Sequence, residues 1–301
     1  MTDLSTWPAL VLSAGLATRL RPLSDVRAKA ALPVGGEAII SRILRWLRDA
    51  GVGRVVLNLH HRADTITKIV GDGADWNLKV RYSWENPVLG TAGGPKRALP
   101  LLDAERFLIV NGDTITDCDL RAVAQRHVDT GAMVTMAVIS RAVNRAVLAD
   151  ASGVVTGFGP GSEHFIGVQA VEARTFASVR DDARSESVNE LYPALMSERV
   201  DSVRVYRSGA EFLDVGTPAD YLETVDIICA RENRRIDTGI GISVHPTATI
   251  RHSVLWDRIT VGEHAELIDC VVGDDVVIPS GSKYERCAIV NSESGLVVAP
   301  F

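Results

Sequence analysis

Short apolar runs alternate with segments of helical period over about the first 230 residues, and this alternation narrows the fold more than any other feature. Ala9–Ser13 is the first run and leads into a turn of small residues. Ile39, Ile40, Ile43, Leu44 and Leu47 recur on one helical face, with Arg42, Arg45 and Arg48 outside it and Gly51 placed to stop the helix. Val55–Leu59 predicts a second strand; Ile66, Ile69 and Val70 predict a second helix, closed by Gly71 and Gly73. Val80–Ser83, Phe107–Val110 and Met133–Ile139 continue the strands. Thr217-Pro218 predicts a helix start, an N-cap followed by a first-turn proline, with Tyr221, Leu222, Val225 and Ile228 as the buried stripe. Strands and helices in this order predict an α/β protein with a doubly wound, mostly parallel sheet.

After about Arg235 the helical period vanishes and a degenerate repeat takes over. Val244/Ala248/Ile250, Val261/Ala265/Leu267 and Val272/Val276/Ile278 share apolar or small residues at i, i+4 and i+6. Repeated short coils with small corner residues predict a stacked parallel β-helix, although ordinary strands of a small sheet would show the same pattern. The expected domains are therefore 1–235 and 236–301. Open coil ends are surfaces where two copies of a chain can pair, so a homo-oligomer through the β-helix is expected.

Composition removes several ligand classes. Lys and Arg number 32 against 38 Asp and Glu, a net charge of −6, which argues against nucleic acid. No apolar run approaches the ~18 residues of a membrane span. The run from Trp7 to Ala14 lacks the basic flank of a signal peptide. Cys118, Cys229, Cys270 and Cys287 are scattered without metal-ligand spacing, which reads as reduced thiols in a cytoplasmic protein.

Residues suited to chemistry cluster at strand ends. The first strand runs into Ala14-Gly15-Leu16-Ala17-Thr18-Arg19. Such a tight turn lets backbone N–H groups approach a phosphate chain, and a guanidinium can take its oxygens. The turn matches neither G-x-x-x-x-G-K-[ST] nor G-x-G-x-x-G, which argues against a P-loop NTPase and a nicotinamide dehydrogenase; a plain tight connection would read alike. Lys29 suits either a further phosphate contact or a snorkelling surface lysine. Asn111-Gly112-Asp113 follows the strand Phe107–Val110, and Asp214 precedes the capped helix. Carboxylates at strand ends can hold Mg²⁺, one or two per ion with substrate phosphates beside them; an Asx turn is an equal reading of Asp113. Between Glu85 and Pro95, closely spaced glycines precede a helix bearing Ala98 and Leu99. Bare backbone of this kind could pack a nucleobase, or simply lead into the helix.

Taken in order, A-G-x-A-T-R-L-R-P-L-S, Lys29, L-G-T-A-G-G, N-G-D and D-V-G-T-P-A-D-Y resemble the sugar-1-phosphate nucleotidylyltransferases over almost the whole chain. The resemblance implies a Rossmann-like core, with the left-handed β-helix that many members append. It implies the reaction NTP + sugar 1-phosphate → NDP-sugar + pyrophosphate, with Mg²⁺ as cofactor. Arg19 and Lys29 would be the catalytic cations, and Asp113 and Asp214 the metal ligands. Ala14, Gly15, Thr18, Arg19, Glu85, Gly90, Thr91, Asn111 and Gly112 would bind the nucleotide. The L-G-T-A-G stretch is most similar to mannose-1-phosphate guanylyltransferases, which makes GTP the expected donor. A catalytically idle relative that binds a nucleotide sugar and regulates a partner is one competing reading. Retention of Arg19, Lys29 and both aspartates speaks against it. A cytidylyltransferase for phosphocholine-type acceptors is another, and the β-helix speaks against that.

The acceptor half departs from the family. Ala17 replaces a turn glycine, and Ala28-Lys29-Ala30 replaces P-K-P, which should loosen the backbone around the lysine. Val143–Val147 stands where members carry Y-G, and Phe158-Gly159-Pro160-Gly161 lacks the Glu and Lys of F-x-E-K-P. Phe165–Gln169 retains only Gly167 of N-A-G-I-Y. An unusual sugar-like 1-phosphate is the expected acceptor, with Arg145 or Arg141 in place of the missing lysine and Gly167 beside it. A pocket rebuilt for mannose or glucose 1-phosphate is the competing expectation.

Overall fold

The structure is a computed structural model and describes residues 2–233, 239–293 and 295–301. The domain boundary expected at residue 235 lies outside the described residues. Two compact units result: Met1–Gly15, Arg42–Ala63 and Val70–Leu213 form the first; Leu16–Ser41, Asp64–Ile69 and Asp214–Phe301 form the second. Among the described residues no helix is long and apolar enough to cross a membrane.

Seven strands form the sheet of the first unit: β1 (Ala9–Leu12), β2 (Arg54–Leu59), β3 (Lys79–Trp84), β4 (Arg106–Asn111), β5 (Val134–Ala149), β6 (Val155–Glu172) and β7 (Val203–Arg207), in the order β7-β5-β6-β4-β1-β2-β3. All neighbours run parallel except β6, which is antiparallel to both β4 and β5. Central strands read as unbroken apolar runs because both faces are covered: Ala9–Val11 and Phe107–Val110 have no exposed surface. The edge strand β3 begins by alternating, with Lys79 and Arg81 exposed and Val80 and Tyr82 half-buried, and then reverses, with Ser83 buried and Trp84 exposed.

The helices α1 (Ile39–Asp49), α2 (Ala63–Val70), α3 (Gly90–Leu102), α4 (Leu120–Thr130) and α5 (Tyr192–Glu198) follow the alternation. All five residues of the α1 stripe are buried, and Gly51 closes the turn after it with φ +100°. Asp119 caps α4 by accepting from the N–H groups of Arg121 and Ala122.

Sequence period misses two elements here. The run Met133–Ile139 only begins β5, which continues to Ala149 and pairs with β6 as a long hairpin. Its outer part carries Arg141, Asn144 and Arg145, so backbone pairing rather than apolar alternation holds it. In β7 only Val203 and Val205 point inward, too few to stand out as a run.

In the second unit, α6 (Pro218–Arg231) starts as expected, with the Thr217 side chain accepting from Asp220 N–H and Pro218 in the first turn. The tail is a stack of parallel coils. Ser243–Val244, Thr260–Val261 and Val277–Ile278 pair in register on one face; Thr249–Arg251, Glu266–Ile268 and Lys283–Glu285 pair on a second; Val254–Leu255, Val271–Val272 and Cys287–Ser292 on a third. Stacked residues are 17 apart. The copies at Val244 and Val261 are therefore true neighbours. Val272 is out of phase with them, because it pairs with Leu255, and Ile278 pairs with Val261 instead. Every face turns after a few residues, so the same short apolar spacing recurs within one coil and blurs the phase.

Corner residues adopt left-handed backbone and stack in ladders. His252, Asp269 and Arg286 (φ +48°, +52° and +50°) form one, and Arg258 and Asp275 (φ +57° and +59°) belong to another. Arg258 Nε donates to Asp275 Oδ1 at 2.6 Å. The His252 ring lies between the carboxylates of Asp226 and Asp269, whose hydrogen bonds raise its pKa. Beneath the coils Arg27 binds both oxygens of Asp274 and one of Asp257, each at 2.6 Å, with its guanidinium 5.1 Å from the Trp256 ring centre.

Candidate functional site

In the first unit, the ends of β1, β2 and β3 are joined by a buried polar chain. Ser13 N–H donates to Asn58 Oδ1 at 2.7 Å, and Asn58 Nδ2 donates to Glu85 Oε1 at 2.7 Å. Leu89 N–H donates to Glu85 Oε2 at 2.8 Å. Glu85 is only 4% exposed, so its side chain faces the fold and supports the loop above it rather than reaching a ligand. Ala14 is buried and Gly15 is exposed at the end of this strand. Gly112 N–H donates to Leu12 O at 2.8 Å, which ties the Asn111-Gly112-Asp113 turn to β1. Asp113 is half-buried at this strand end.

The glycine-rich stretch is not a loop before a helix: α3 itself begins at Gly90. A side chain at Gly93 would lie 2.4 Å from Ala183 O, and one at Gly94 would lie 2.6 Å from Glu85 Oε1. Protein, not a flat ligand, fills the space these glycines leave. Any reading of a base here rests on the backbone groups around Gly90. Segment 183–187 is fastened to the same helix start. Ala92 N–H donates to Ser185 O and Ser185 N–H donates to Leu89 O, both at 2.9 Å. Thr91 Oγ1 donates to Glu186 Oε2 at 2.9 Å and accepts from Ser187 N–H at 2.8 Å.

Thr91 therefore turns toward a cleft of about 420 Å³, which it lines with Asn111, Arg145, Gln169, Glu186 and Asn189 among polar groups. Phe158, Phe165, Met136, Val147 and Val188 supply apolar walls. Arg145 lines this cleft; Arg141 is not among its lining residues. Gln169 is held from behind by the Tyr192 hydroxyl at 2.7 Å, whose own pKa is raised by complete burial. Gly167 (φ +76°) is packed by protein: a Cβ there would meet Thr114 Oγ1 at 2.4 Å and Asn111 Nδ2 at 2.8 Å. It shapes the strand beside the cleft and does not line it.

In the second unit, Ala17 has left-handed backbone (φ +47°, ψ +45°), followed by Thr18 and Arg19, both exposed. A side chain at Gly216 would come within 3.4 Å of both terminal nitrogens of Arg19, so the guanidinium lies against that glycine. Lys29 is not a snorkelling surface residue: its side chain is 16% exposed and its Nζ lies 3.9 Å from Asp214 Oδ1. The backbone around it is held by burial and hydrogen bonds. Ala28 and Ala30 are buried, Ala28 N–H donates to Thr65 Oγ1 at 3.1 Å, and Leu32 N–H donates to Lys29 O at 3.1 Å. Thr224 Oγ1 donates to Asp214 O at 3.0 Å and fixes the backbone of the carboxylate from α6. The fold thus gathers Arg19 with Gly216 and Lys29 with Asp214, residues far apart in sequence.

The two aspartates offer hard oxygen donors of the kind Mg²⁺ takes. Asp214 is 47% exposed at its side chain and so open to an ion. Among the described residues no group of three or more His, Cys, Asp or Glu forms a metal cage. Either aspartate by itself fits a metal that relies on one or two carboxylates and on substrate phosphates.

Sequence reasoning missed Asn58 and the segment 183–189. An asparagine inside the apolar run Val55–Leu59 was the available signal, since a buried amide needs partners. Segment 183–189 carries no periodicity that would mark it.

Comparison with known proteins agrees with this layout. The nucleotidyl transferase family matches residues 8–156. Over 119 residues the chain is 41% identical to N-acetylmuramate alpha-1-phosphate uridylyltransferase of Neisseria meningitidis, which covers 39% of this chain and about half, 51%, of that enzyme. It is 26% identical over 297 residues to mannose-1-phosphate guanylyltransferase of Mycobacterium tuberculosis, covering 92% of this chain and 83% of that one. The crystal structure of HddC from Yersinia pseudotuberculosis superposes with a TM-score of 0.65 at 23% identity, over 73% of this chain and 99% of the other, a likeness of fold. Residues 8–156 thus match a nucleotidyl transferase domain, and the chain is similar over most of its length to sugar-1-phosphate nucleotidylyltransferases.

Proposed function

We propose that this protein transfers a nucleotidyl group from an NTP to a sugar-like 1-phosphate and releases pyrophosphate. The observation that carries the reading is the pairing of Lys29 with Asp214, and of Arg19 with Gly216, on a chain whose relatives perform this reaction. An oxygen of the acceptor phosphate attacks the α-phosphorus in line as pyrophosphate leaves. The attacking phosphate is already ionised at neutral pH, so no general base is needed. Positioning and charge neutralisation supply the acceleration. Arg19 and Lys29 hold phosphate oxygens and offset the charge that builds on the leaving pyrophosphate. Asp113 and Asp214 are each proposed as carboxylates for Mg²⁺, which when bound neutralises and orients phosphate oxygens.

We take the cleft beside Thr91 as the acceptor pocket. Arg145 is its cation and supports a role for that residue at the acceptor phosphate or another anionic group. The apolar walls of Phe158, Phe165 and Val147 suit a sugar that carries an apolar substituent better than a bare hexose. The Neisseria relative is named for N-acetylmuramate 1-phosphate, a substituted sugar rather than a bare hexose, which supports a substituted acceptor. GTP is the proposed donor, on the L-G-T-A-G stretch and the Mycobacterium relative. UTP is a second reading, favoured by the 41% identity to a uridylyltransferase. Exposed Ile240 and Val244 on the first coil support pairing of two copies through the tail.

One experiment tests these choices: pyrophosphate release with GTP, UTP, ATP and dTTP against mannose, glucose, N-acetylglucosamine and N-acetylmuramate 1-phosphates. Fastest turnover is expected with GTP and a substituted sugar. Dominance of another base overturns GTP, and rapid turnover of mannose 1-phosphate at micromolar KM overturns the unusual acceptor. Nucleotide binding without pyrophosphate release from any pair overturns the enzyme reading.

A further inference from the structure

We propose that Asn58 and Glu85 are positioning residues for the nucleotide, a buried relay that fixes the distance between the backbone stretch that holds phosphates and the one that holds the base. This rests on the nucleotidyl-transfer reading. The relay begins at Ser13 N–H, immediately before Ala14 and Gly15, and ends at Leu89 N–H, immediately before Gly90 and Thr91. Neither residue reaches a ligand, since both are only 4% exposed.

The hydrogen-bond chemistry leaves one arrangement. Ser13 and Leu89 present N–H groups, which only donate, so each must face an oxygen. Asn58 therefore turns Oδ1 to Ser13 and Nδ2 to Glu85, and the two oxygens of Glu85 are divided between Asn58 and Leu89. No side-chain polar atom of the pair is left over. The backbone of Glu85 is held as well: its N–H donates to Leu59 O at 2.9 Å, and His60 Nδ1 lies 2.9 Å from its carbonyl oxygen. Gly94 leaves the space, since a Cβ there would lie 2.6 Å from Glu85 Oε1 and 2.9 Å from Asn58 Nδ2. A carboxylate and an amide with every link satisfied hold two backbone segments at one spacing more tightly than apolar contact would. That spacing sets where the phosphate-side and base-side amides stand relative to each other.

Exchanging the two groups tests this. In Glu85→Gln one link sets donor against donor, and in Asn58→Asp one link sets oxygen against oxygen. The double variant Asn58→Asp/Glu85→Gln restores all links at unchanged net charge. The carboxylate then at position 58 would accept from Ser13 N–H and from the amide at position 85, whose oxygen would accept from Leu89 N–H. KM for GTP and UTP, KM for the acceptor, kcat and Tm are measured for each variant, and GTP and UTP affinity by calorimetry. One unmet buried group is worth roughly tenfold in binding. The expected result is a rise in NTP KM and Kd of about that size in each single variant, a smaller rise in acceptor KM because Thr91 also lines the acceptor cleft, and return toward wild type in the exchange. A Glu85→Gln enzyme with wild-type NTP affinity, or equal losses for both substrates, overturns the proposal. So does an exchange variant with wild-type Tm that still binds NTP weakly, and this arm holds even where a single variant fails to fold. A wild-type protein that binds neither nucleotide would instead refute the nucleotidyl-transfer reading.

Discussion

Lys29 Nζ stands 3.9 Å from Asp214 Oδ1 although 185 positions separate the two residues in sequence. An ammonium held beside a half-exposed carboxylate is aimed before substrate arrives, and little side-chain entropy remains to be lost on binding. Lys29→Met should lower kcat by about 100-fold or more, as removal of a charge-stabilising donor does elsewhere, with Tm close to wild type. Steady-state pyrophosphate release together with a melting curve checks it. Loss of Tm with normal kcat would show the lysine to be structural.

Chelation tests the carboxylates. EDTA should arrest turnover and added Mg²⁺ should restore it. Asp113→Asn and Asp214→Asn should each need more Mg²⁺ for half-maximal rate, because each removes a hard anionic donor. A Mg²⁺ titration of the rate measures this directly.

Arg27 carries a stability prediction. It answers two carboxylates, Asp257 and Asp274, at 2.6 Å with only 15% of its side chain exposed. Burial works against its charge, yet the paired carboxylates more than compensate and raise its pKa. Arg27→Ala leaves two neighbouring acids unpaired and should cost about 2–4 kcal/mol. Arg27→Lys should recover only part, because an ammonium cannot span both acids with a planar fork. Denaturant unfolding at neutral pH provides the measurement.

Buried His127 sets a pH dependence. Burial lowers its pKa from 6.5 to about 4, against the opposing pull of Glu172. The unfolded chain therefore binds the proton more readily than the folded one. This contribution to stability is complete above pH 6.5 and is lost as pH falls from 6.5 toward about 4. The loss amounts to at most about 3 kcal/mol. Unfolding free energies at pH 7 and pH 5 should differ less in His127→Gln than in wild type.

Ala17→Gly should stabilise the protein. Ala17 has φ +47°, which costs an L-residue roughly 1–2 kcal/mol, while glycine costs about half of that in unfolded-chain entropy. A gain of up to about 1 kcal/mol is expected, read as a higher denaturant midpoint at constant slope.

Much of the core was legible because burial leaves period behind. Ile39, Ile40, Ile43, Leu44 and Leu47 are all buried in α1, and Phe107–Val110 fills a central strand. The Thr217-Pro218 helix start was equally plain, since local hydrogen bonding dictates those residue types. What escaped was set by distant partners. The roles of Gly93 and Gly94 depend on Ala183 and Glu85, and the phase of the coils depends on pairing across 17 residues. Glu85 stood out as a charge near a proposed base site, but only the fold reveals that both oxygens face inward.

That 17-residue spacing makes the tail modular. Duplicating Thr260–Val276 would insert one whole coil, add about 4.8 Å to the stack and keep every ladder in step, from Glu266–Lys283 to Arg258–Asp275. Inserting within a strand a number that is not a multiple of 17 would rotate inward valines outward along the rest of the tail. Length can therefore change in this part of the molecule only by whole steps, as in a ruler with a single mark.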